Sequence, residues 1–321
     1  MTEQATTLAG TARQPKAQTF FGIHIGDRTR YVIRQLFTRP TSLAGIIILL
    51  AFIVIAVGAP VLAPPENPDR PMQIPRDGYR SEPQAPSSEH IFGTTEGQYD
   101  VYYGVIWGTR TAFRVGLLIT GATMLIGLAV GSLAAYYGGA VDDILMRIVE
   151  IVQAFPFLLA ALTLAAILRA RLGVGLAAAM LALIAFGWPT YARLIRGDIL
   201  VTKEQDYVTA ARAVGASDFR ILFRHIIPNA IFPTLVIASM DIGSYVLSFA
   251  ALSFLGLGAD PGYADWGQMI SFARNWIPAL AKYPHILIYP GLAILLFVMG
   301  WNLIGDAFRD IIDPRLSGSR G

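Results

Sequence analysis

Chemistry requires groups that can converge, and this sequence offers few of them. It has no cysteine, which excludes disulfides, thiolate metal sites and thiol nucleophiles. Its four histidines, His24, His90, His225 and His285, are scattered without ligand spacing, so no metal site is expected. Neither a G-x-x-x-x-G-K-[ST] motif nor any Gly-Lys pair occurs, so a P-loop for nucleotide phosphates is absent. One acidic residue, Asp241, falls deep in an apolar run, with Ser244 and Ser248 on the same helical face. An intramembrane carboxylate is a functional candidate by default. Two readings stand for it. The face lines a translocation pathway, or Asp241 is protonated or bonded to a neighbouring helix at a subunit interface.

The other candidate is a charged stretch between two apolar ones, Asp206 to Asn229, DYVTAARAVGASDFRILFRHIIPN. Its spacing predicts a helical hairpin. Asp206 is expected to cap a short helix over Tyr207 to Val214, and Gly215 to supply a left-handed C′ turn. Ser217 or Asp218 is expected to cap a second short helix that Pro228 stops. A hairpin punctuated this fully, placed between apolar runs, points to docking on a soluble partner.

Elements must position these residues, and the composition says which kind. The chain is 54% hydrophobic and 15% charged, with mean hydropathy +0.52, against about a quarter charged residues in soluble domains. Several apolar runs reach the ~18–20 residues that cross a hydrocarbon core. Six spans are expected: Thr41 to Ala63, Thr111 to Tyr137, Ile144 to Leu168, Val174 to Pro189, Ala230 to Leu255 and Ile286 to Ile304. Residues 1–40 read as a cytoplasmic tail followed by a basic amphipathic helix over Arg28 to Arg39. Residues 64–110 form a polar insert, for which both a functional and a disordered reading stand. Residues 111–307 form a five-helix core containing the loop 191–229, and 308–321 a terminal tail. The first 40 residues hold six basic and two acidic residues, while Pro64 to Arg110 holds four basic and seven acidic ones. The positive-inside rule then puts the insert outside and the hairpin, with both termini, in the cytoplasm. The small net charge of +3 gives no reason to expect nucleic acid. Glycines recur in the spans (Gly116, Gly121, Gly127, Gly131, Gly173, Gly175), where small residues permit close helix approach.

Thr209-Ala210-Ala211, then Gly215, then Ile227-Pro228 reproduces the spacing of the EAA loop of ABC-importer permeases. HIFGTTEG at His90, YGG at Tyr137, FPFLL at Phe155, YARLIRGDIL before the hairpin, LSFLGLG at Leu252 and WNLIGDAFRDIIDPRL at Trp301 extend the likeness from about residue 34 to 316. Together they resemble the C-type permease subunit of dipeptide/oligopeptide (and nickel) ABC importers. The resemblance implies an all-α integral membrane protein with six transmembrane helices of the type I importer fold and a cytoplasmic coupling helix. It implies a prokaryotic cell-membrane location and a homologous second permease as partner. Two cytoplasmic ABC ATPase subunits carrying ATP and Mg, and an extracytoplasmic substrate-binding protein, complete the complex. This chain, embedded in membrane lipid, would bind no cofactor and catalyse no reaction. The coupling residues implied are Asp206, Tyr207, Thr209, Ala210, Ala211, Arg212, Gly215, Asp218, Arg220 and Pro228. Ala210, Ala211 and Val214 would pack on the ATPase, while Arg212 and Arg220 meet its acidic rims.

The chain departs from that pattern in places. Thr209 stands where the family has Glu, which loses one arm of a capping box begun at Asp206. On the outer side Thr95, Tyr99 and Gly104 stand where the family usually has Asp, Arg and Arg, while Asp100 and Arg110 are kept and Phe249 replaces a Glu. An aromatic vestibule suited to stacking a sugar and a neutral repacking are both open. Peptide is the expected cargo, with nickel and oligosaccharide as alternatives. An ion-coupled secondary transporter and a membrane hydrolase are the competitors from other classes, lacking here an inverted repeat and a catalytic set.

Overall fold

This computed structural model describes residues 37, 39–173 and 175–312. The tail 1–27, most of the expected amphipathic helix 28–39 and the tail from 313 lie outside the described residues. The elements are α1 (Pro40–Leu62), α2 (Val101–Tyr137), α3 (Gly139–Gln153), α4 (Phe157–Leu172) and α5 (Gly175–Thr202). They continue with α6 (Asp206–Ala213), α7 (Asp218–Arg220), a π-helical turn Ile221–Ile226, α8 (Ile227–Phe254), α9 (Trp266–Ala273), a 3₁₀ turn Arg274–Ala279 and α10 (His285–Ile312). Five helical runs are long and apolar enough to cross a membrane, or six if the bent pair α3–α4 counts as one span.

The span boundaries differ from expectation in four places: the sixth runs past Ile304 to Ile312, so the first residues of the expected tail from 308 are helix, and the other three differ for the following reasons. The second span begins at Val101, ten residues before Thr111, because Asp100 caps it there by accepting from Tyr103 N at 2.8 Å. The third is two helices meeting at 83°. Pro156 precedes α4 and removes a donor at the break, and Gly138 and Gly139, both at positive φ, turn the chain sharply into α3. The fourth does not stop at Pro189 but runs on to Thr202, so YARLIRGDIL is helix rather than loop.

Helix α2 packs most extensively on α5, α8 lies between α2 and α10, and α1 packs on α10. The core falls into three main clusters and a small fourth of Ala273, Tyr283 and Ile286. Phe52, Trp107, Trp266 and Phe297 centre the insert side; Ile119, Leu183, Tyr191 and Phe249 the middle; Ile195, Ile199, Ile221 and Ile226 the hairpin side. Along α2, Gly127 and Gly131 form a G-x-x-x-G seam against Tyr191, Ala192 and Ile195 of α5, whereas Gly121 faces open space.

The insert is ordered. Gln98, buried and at φ 66°, donates to the Glu82 carbonyl at 2.7 Å and accepts from Gln84. Glu96 accepts from Asn275 and Trp276, and Glu82 from Tyr283, which binds the insert to the segment between α9 and α10. His90 bonds Asp100 at 2.8 Å. Burial alone would lower the His90 pKa, but hydrogen bonds and attraction to Asp100 and Asp77 outweigh it and hold it above its ordinary value.

Helix α1 carries Pro60, which has no N–H for the carbonyl of Ala56. Arg110 of α2 fills that vacancy. Its Nε donates to Ala56 O at 2.5 Å and its Nη2 to Val57 O at 3.3 Å. Trp107 Nε1 donates to Ala63 O and Tyr102 OH to Leu62 O, satisfying the frayed end of the same helix. Arg110→Met is therefore expected to destabilise the chain by about 1.5–3 kcal/mol, the range for a hydrogen bond to a charged group. In a Pro60→Ala background the new alanine supplies its own N–H, and the loss shrinks by roughly 1 kcal/mol. A double-mutant cycle by SDS titration in mixed micelles measures this; equal losses in both backgrounds would refute the pairing.

Candidate functional site

The hairpin is built as its glycine predicts and differently at both ends. Gly215 stands at φ 78°, its N–H bonding Arg212 O at 2.9 Å while Ala216 N bonds Ala211 O at 3.1 Å. These two bonds define a Schellman motif, which fixes the exit of α6. Ser217, not Asp218, caps the next turn, accepting from Arg220 N.

At the entrance the N-cap is Gln205, with no side-chain bond, and Asp206 is the first helical residue. Gln205 O accepts from Val208 N and Thr209 N, so helical bonding starts one residue before the expected cap. Residue 209 then stands one place too late for a capping box, and Thr209 removes no such arm. Asp206 acts instead as a first-turn negative charge at the helix N-terminus.

At the exit Pro228 does not stop the helix. The chain passes through the π turn Ile221–Ile226 directly into α8, with Ile227 N bonding Leu222 O five residues back. The wider turn relieves the clash between the proline ring and the preceding carbonyls. Asn229 Nδ2 donates to His225 O at 2.7 Å, one turn back across the join.

The hairpin has two faces. Val208 and Ala211 point inward with Ala135, Ile195, Ile199, Ile221, Leu222 and Ile226. Ala211 therefore supports the helix from within and is not free to touch a partner, contrary to the packing role expected of it. Outward stand Asp206, Tyr207, Thr209, Ala210, Arg212, Arg220 and Pro228. Val214 is 84% exposed, Phe219 72% and Phe223 54%, with the two rings 4.4 Å apart. This aromatic pair, one turn apart, is legible in DFRILF but was not among the expected residues.

Polar ties anchor the hairpin to the bundle. Tyr136 OH donates to Asp218 Oδ1 at 2.6 Å, so Asp218 faces the chain itself rather than only a partner. Lys203 Nζ donates to Ala135 O at 2.9 Å. Arg196 of α5 binds Asp142 of α3 through both oxygens, at 2.6 and 2.5 Å.

The second candidate lies in α8. Tyr191 OH donates to Asp241 Oδ2 at 2.6 Å, so the bond to a neighbouring helix exists. Asp241 and Ser248 are half-buried and Ser244 is exposed, while Ile242, Tyr245, Val246 and Phe249 are buried on the remaining faces. Ser248 OH turns onto Ser244 O at 2.9 Å. The outer replacements are packed away. Tyr99 stacks on Phe272 at 5.3 Å with Arg76 over its ring, Thr95 and Phe249 are buried, and a Cβ on Gly104 would meet Met269. All four positions are engaged within the fold, Tyr99 with both Phe272 and Arg76.

Residues 127–318 match the family described as binding-protein-dependent transport system inner membrane component, and residues 28–83 match the N-terminal TM domain of oligopeptide transport permease C. The chain belongs to this permease family. The permease is 35% identical to the dipeptide transport system permease protein DppC of Alkalihalophilus pseudofirmus, over 89% of this chain and 90% of that one. It is 41% identical to the glutathione transport system permease protein GsiD of Pectobacterium atrosepticum, over 73% and 75%. Among solved structures, an inward-facing MetNI methionine ABC transporter shares the fold, with TM-score 0.52 and 19% identity over 65% of this chain and 96% of that one. The permease is thus a multi-pass membrane protein of the type I importer fold, and a transport component rather than an enzyme.

Proposed function

We propose that this permease forms half of the translocation pathway of an ATP-driven importer of di- or oligopeptides, and that its hairpin seats in separate ATPase subunits. The observation carrying the coupling role is the hairpin's outward face. Tyr207, Ala210, Val214 and the Phe219–Phe223 pair are exposed apolar groups on an element locked by the Schellman motif and backed by the chain's own core. Exposed apolar side chains gathered at the hairpin end of the spans, where the last of these helical runs begins at Asp218, suit a protein contact. Arg212, Arg220 and Arg224 rim it and suit an acidic socket. Peptide cargo rests on the dipeptide and glutathione permeases to which the chain is similar. The distribution of basic residues supports a cytoplasmic hairpin and an outer insert, which is then the surface nearest a binding protein.

Co-expression with the homologous permease and ATPase subunits tests the coupling. Phe219→Ser with Phe223→Ser is expected to lower ATPase co-purification by about 30-fold, the loss of a two-aromatic hot spot of ~2 kcal/mol. Undiminished co-purification would exclude this face as the contact.

Asp241, Ser244 and Ser248 supply a polar stripe that this chain covers only in part, and a polar stripe is poorly suited to lipid. We assign it to the pathway. Asp241→Asn keeps an acceptor for Tyr191 but removes the charge, and is expected to lower peptide uptake several-fold with assembly unchanged. Wild-type uptake across pH 5 to 8 would remove Asp241 from the pathway.

A further inference from the structure

The Arg196–Asp142 pair is a polar tie between two helices that also pack on one another, α5 and α3. Arg196 sits on α5 between Ile195 and Ile199, the two residues that meet Val208 and Ala211 under the hairpin. Any displacement of α6 is carried to this stretch of α5 through a packed core, which shifts as a unit rather than deforming. Asp142 lies in the first turn of α3, a helix that buries only Val149 along its length. Its side chain is 17% exposed and that of Arg196 31%, so the pair is sheltered and doubly bonded. Beyond Asp142, α3 runs roughly 17 Å, at 1.5 Å per residue, to the bend before α4. The two halves meet there at 83°. The far end of α4 is held in turn, where Arg169 donates to Gly256 O and Gly258 O and pairs with Asp260.

We propose that Arg196 and Asp142 are positioning residues that transmit hairpin movement from α5 to α3, so that α3 works as a lever on the α3–α4 elbow. This rests on the coupling role proposed above and deepens it by naming the route into the spans. The charged pair suits the task because a bidentate guanidinium–carboxylate fixes direction as well as distance. Without it, Val149 is the buried residue that α3 retains.

The test uses the full complex in proteoliposomes, with uptake and ATP hydrolysis measured in the same vesicles. Asp142→Asn and Arg196→Gln are each expected to assemble and hydrolyse ATP while uptake per ATP falls about tenfold, a typical coupling energy between sites. The exchange Asp142→Arg with Arg196→Asp is expected to recover most of that ratio. An unchanged ratio in the single variants overturns the proposal. So does a fall in assembly and hydrolysis together at constant ratio, or an exchange no better than the singles. A wild-type complex that fails to assemble with ATPase subunits would instead refute the coupling role itself, and is separately visible.

Because this chain has no cysteine, spin labels at Ile151→Cys and Ala213→Cys report α3 and α6 once any cysteines of the partner subunits are replaced. Their separation is expected to stay constant through the ATP cycle in the wild type and to vary in Asp142→Asn. A separation that behaves identically in both overturns the lever.

Discussion

Gly131→Leu is expected to prevent the permease from folding into a stable bundle. A Cβ at residue 131 would collide with the Ala192 carbonyl and Ile195 Cγ2. The obstacle is backbone of α5, which cannot rotate aside as a side chain would. Overpacking a core costs roughly 1–3 kcal/mol when neighbours can adjust, and a helix seam that must open along its length exceeds the usual range. The displaced residues include Arg196 and the inner support of the hairpin, so assembly and transport fall together. Gly121→Leu is the control, since nothing lies within 4 Å of its Cβ. Thermal unfolding in detergent and size-exclusion profiles compare the two. Equal behaviour would mean that the G-x-x-x-G seam is not a close approach of the two helices.

The second large effect is expected at Gly215, by a different mechanism. No atom lies within 4 Å of a Cβ built there, so a larger residue meets no clash. The difficulty is the backbone, at φ 78°. A β-branched residue is an outlier in that region, with a cost of order 1–3 kcal/mol. Gly215→Val is expected to unwind the Schellman turn, free Ala216 N and Gly215 N from their carbonyls, and tilt α6 away from Ser217. The spans stay folded while peptide uptake and its coupled ATP hydrolysis fall about tenfold or more, at 1.4 kcal/mol per decade. Gly215→Asn, which tolerates the left-handed region, is expected to retain most activity. Full uptake in the valine variant would rule out a conformational role for the glycine.

These two glycines mark the limits of the sequence as a guide. Gly215 was legible, because a glycine after eight helix-compatible residues has a local explanation. Gly131 was not distinguishable from Gly121, because only the partner helix decides which of them is a contact. Pro228 misled for a related reason. As a local signal it ends a helix, but the π turn before it absorbs the irregularity, and α8 continues. Pro189 misled in the same direction. The expected cap at Asp206 missed by one residue because the Gln205 carbonyl, not a side chain, opens α6. The insert, left between functional and disordered readings, is ordered by bonds spanning up to 201 residues in sequence, such as Tyr283 to Glu82. No periodicity reports such bonds. Motif spacing found the hairpin, but not that Ala211 faces inward or that Phe219 and Phe223 face outward.

The donors that α2 directs at α1 all address main-chain oxygens: Tyr102 to Leu62, Trp107 to Ala63, Arg110 to Ala56 and Val57. Recognition of this kind is blind to side-chain identity. Exposed positions at the far end of the first helix, such as Val57 and Val61, are thereby free to drift in sequence, whereas Ala59 and Ala63 are held by burial in the core. Pro60 is the exception, since it creates the vacancy that Arg110 occupies, and the two are expected to be exchanged or retained together.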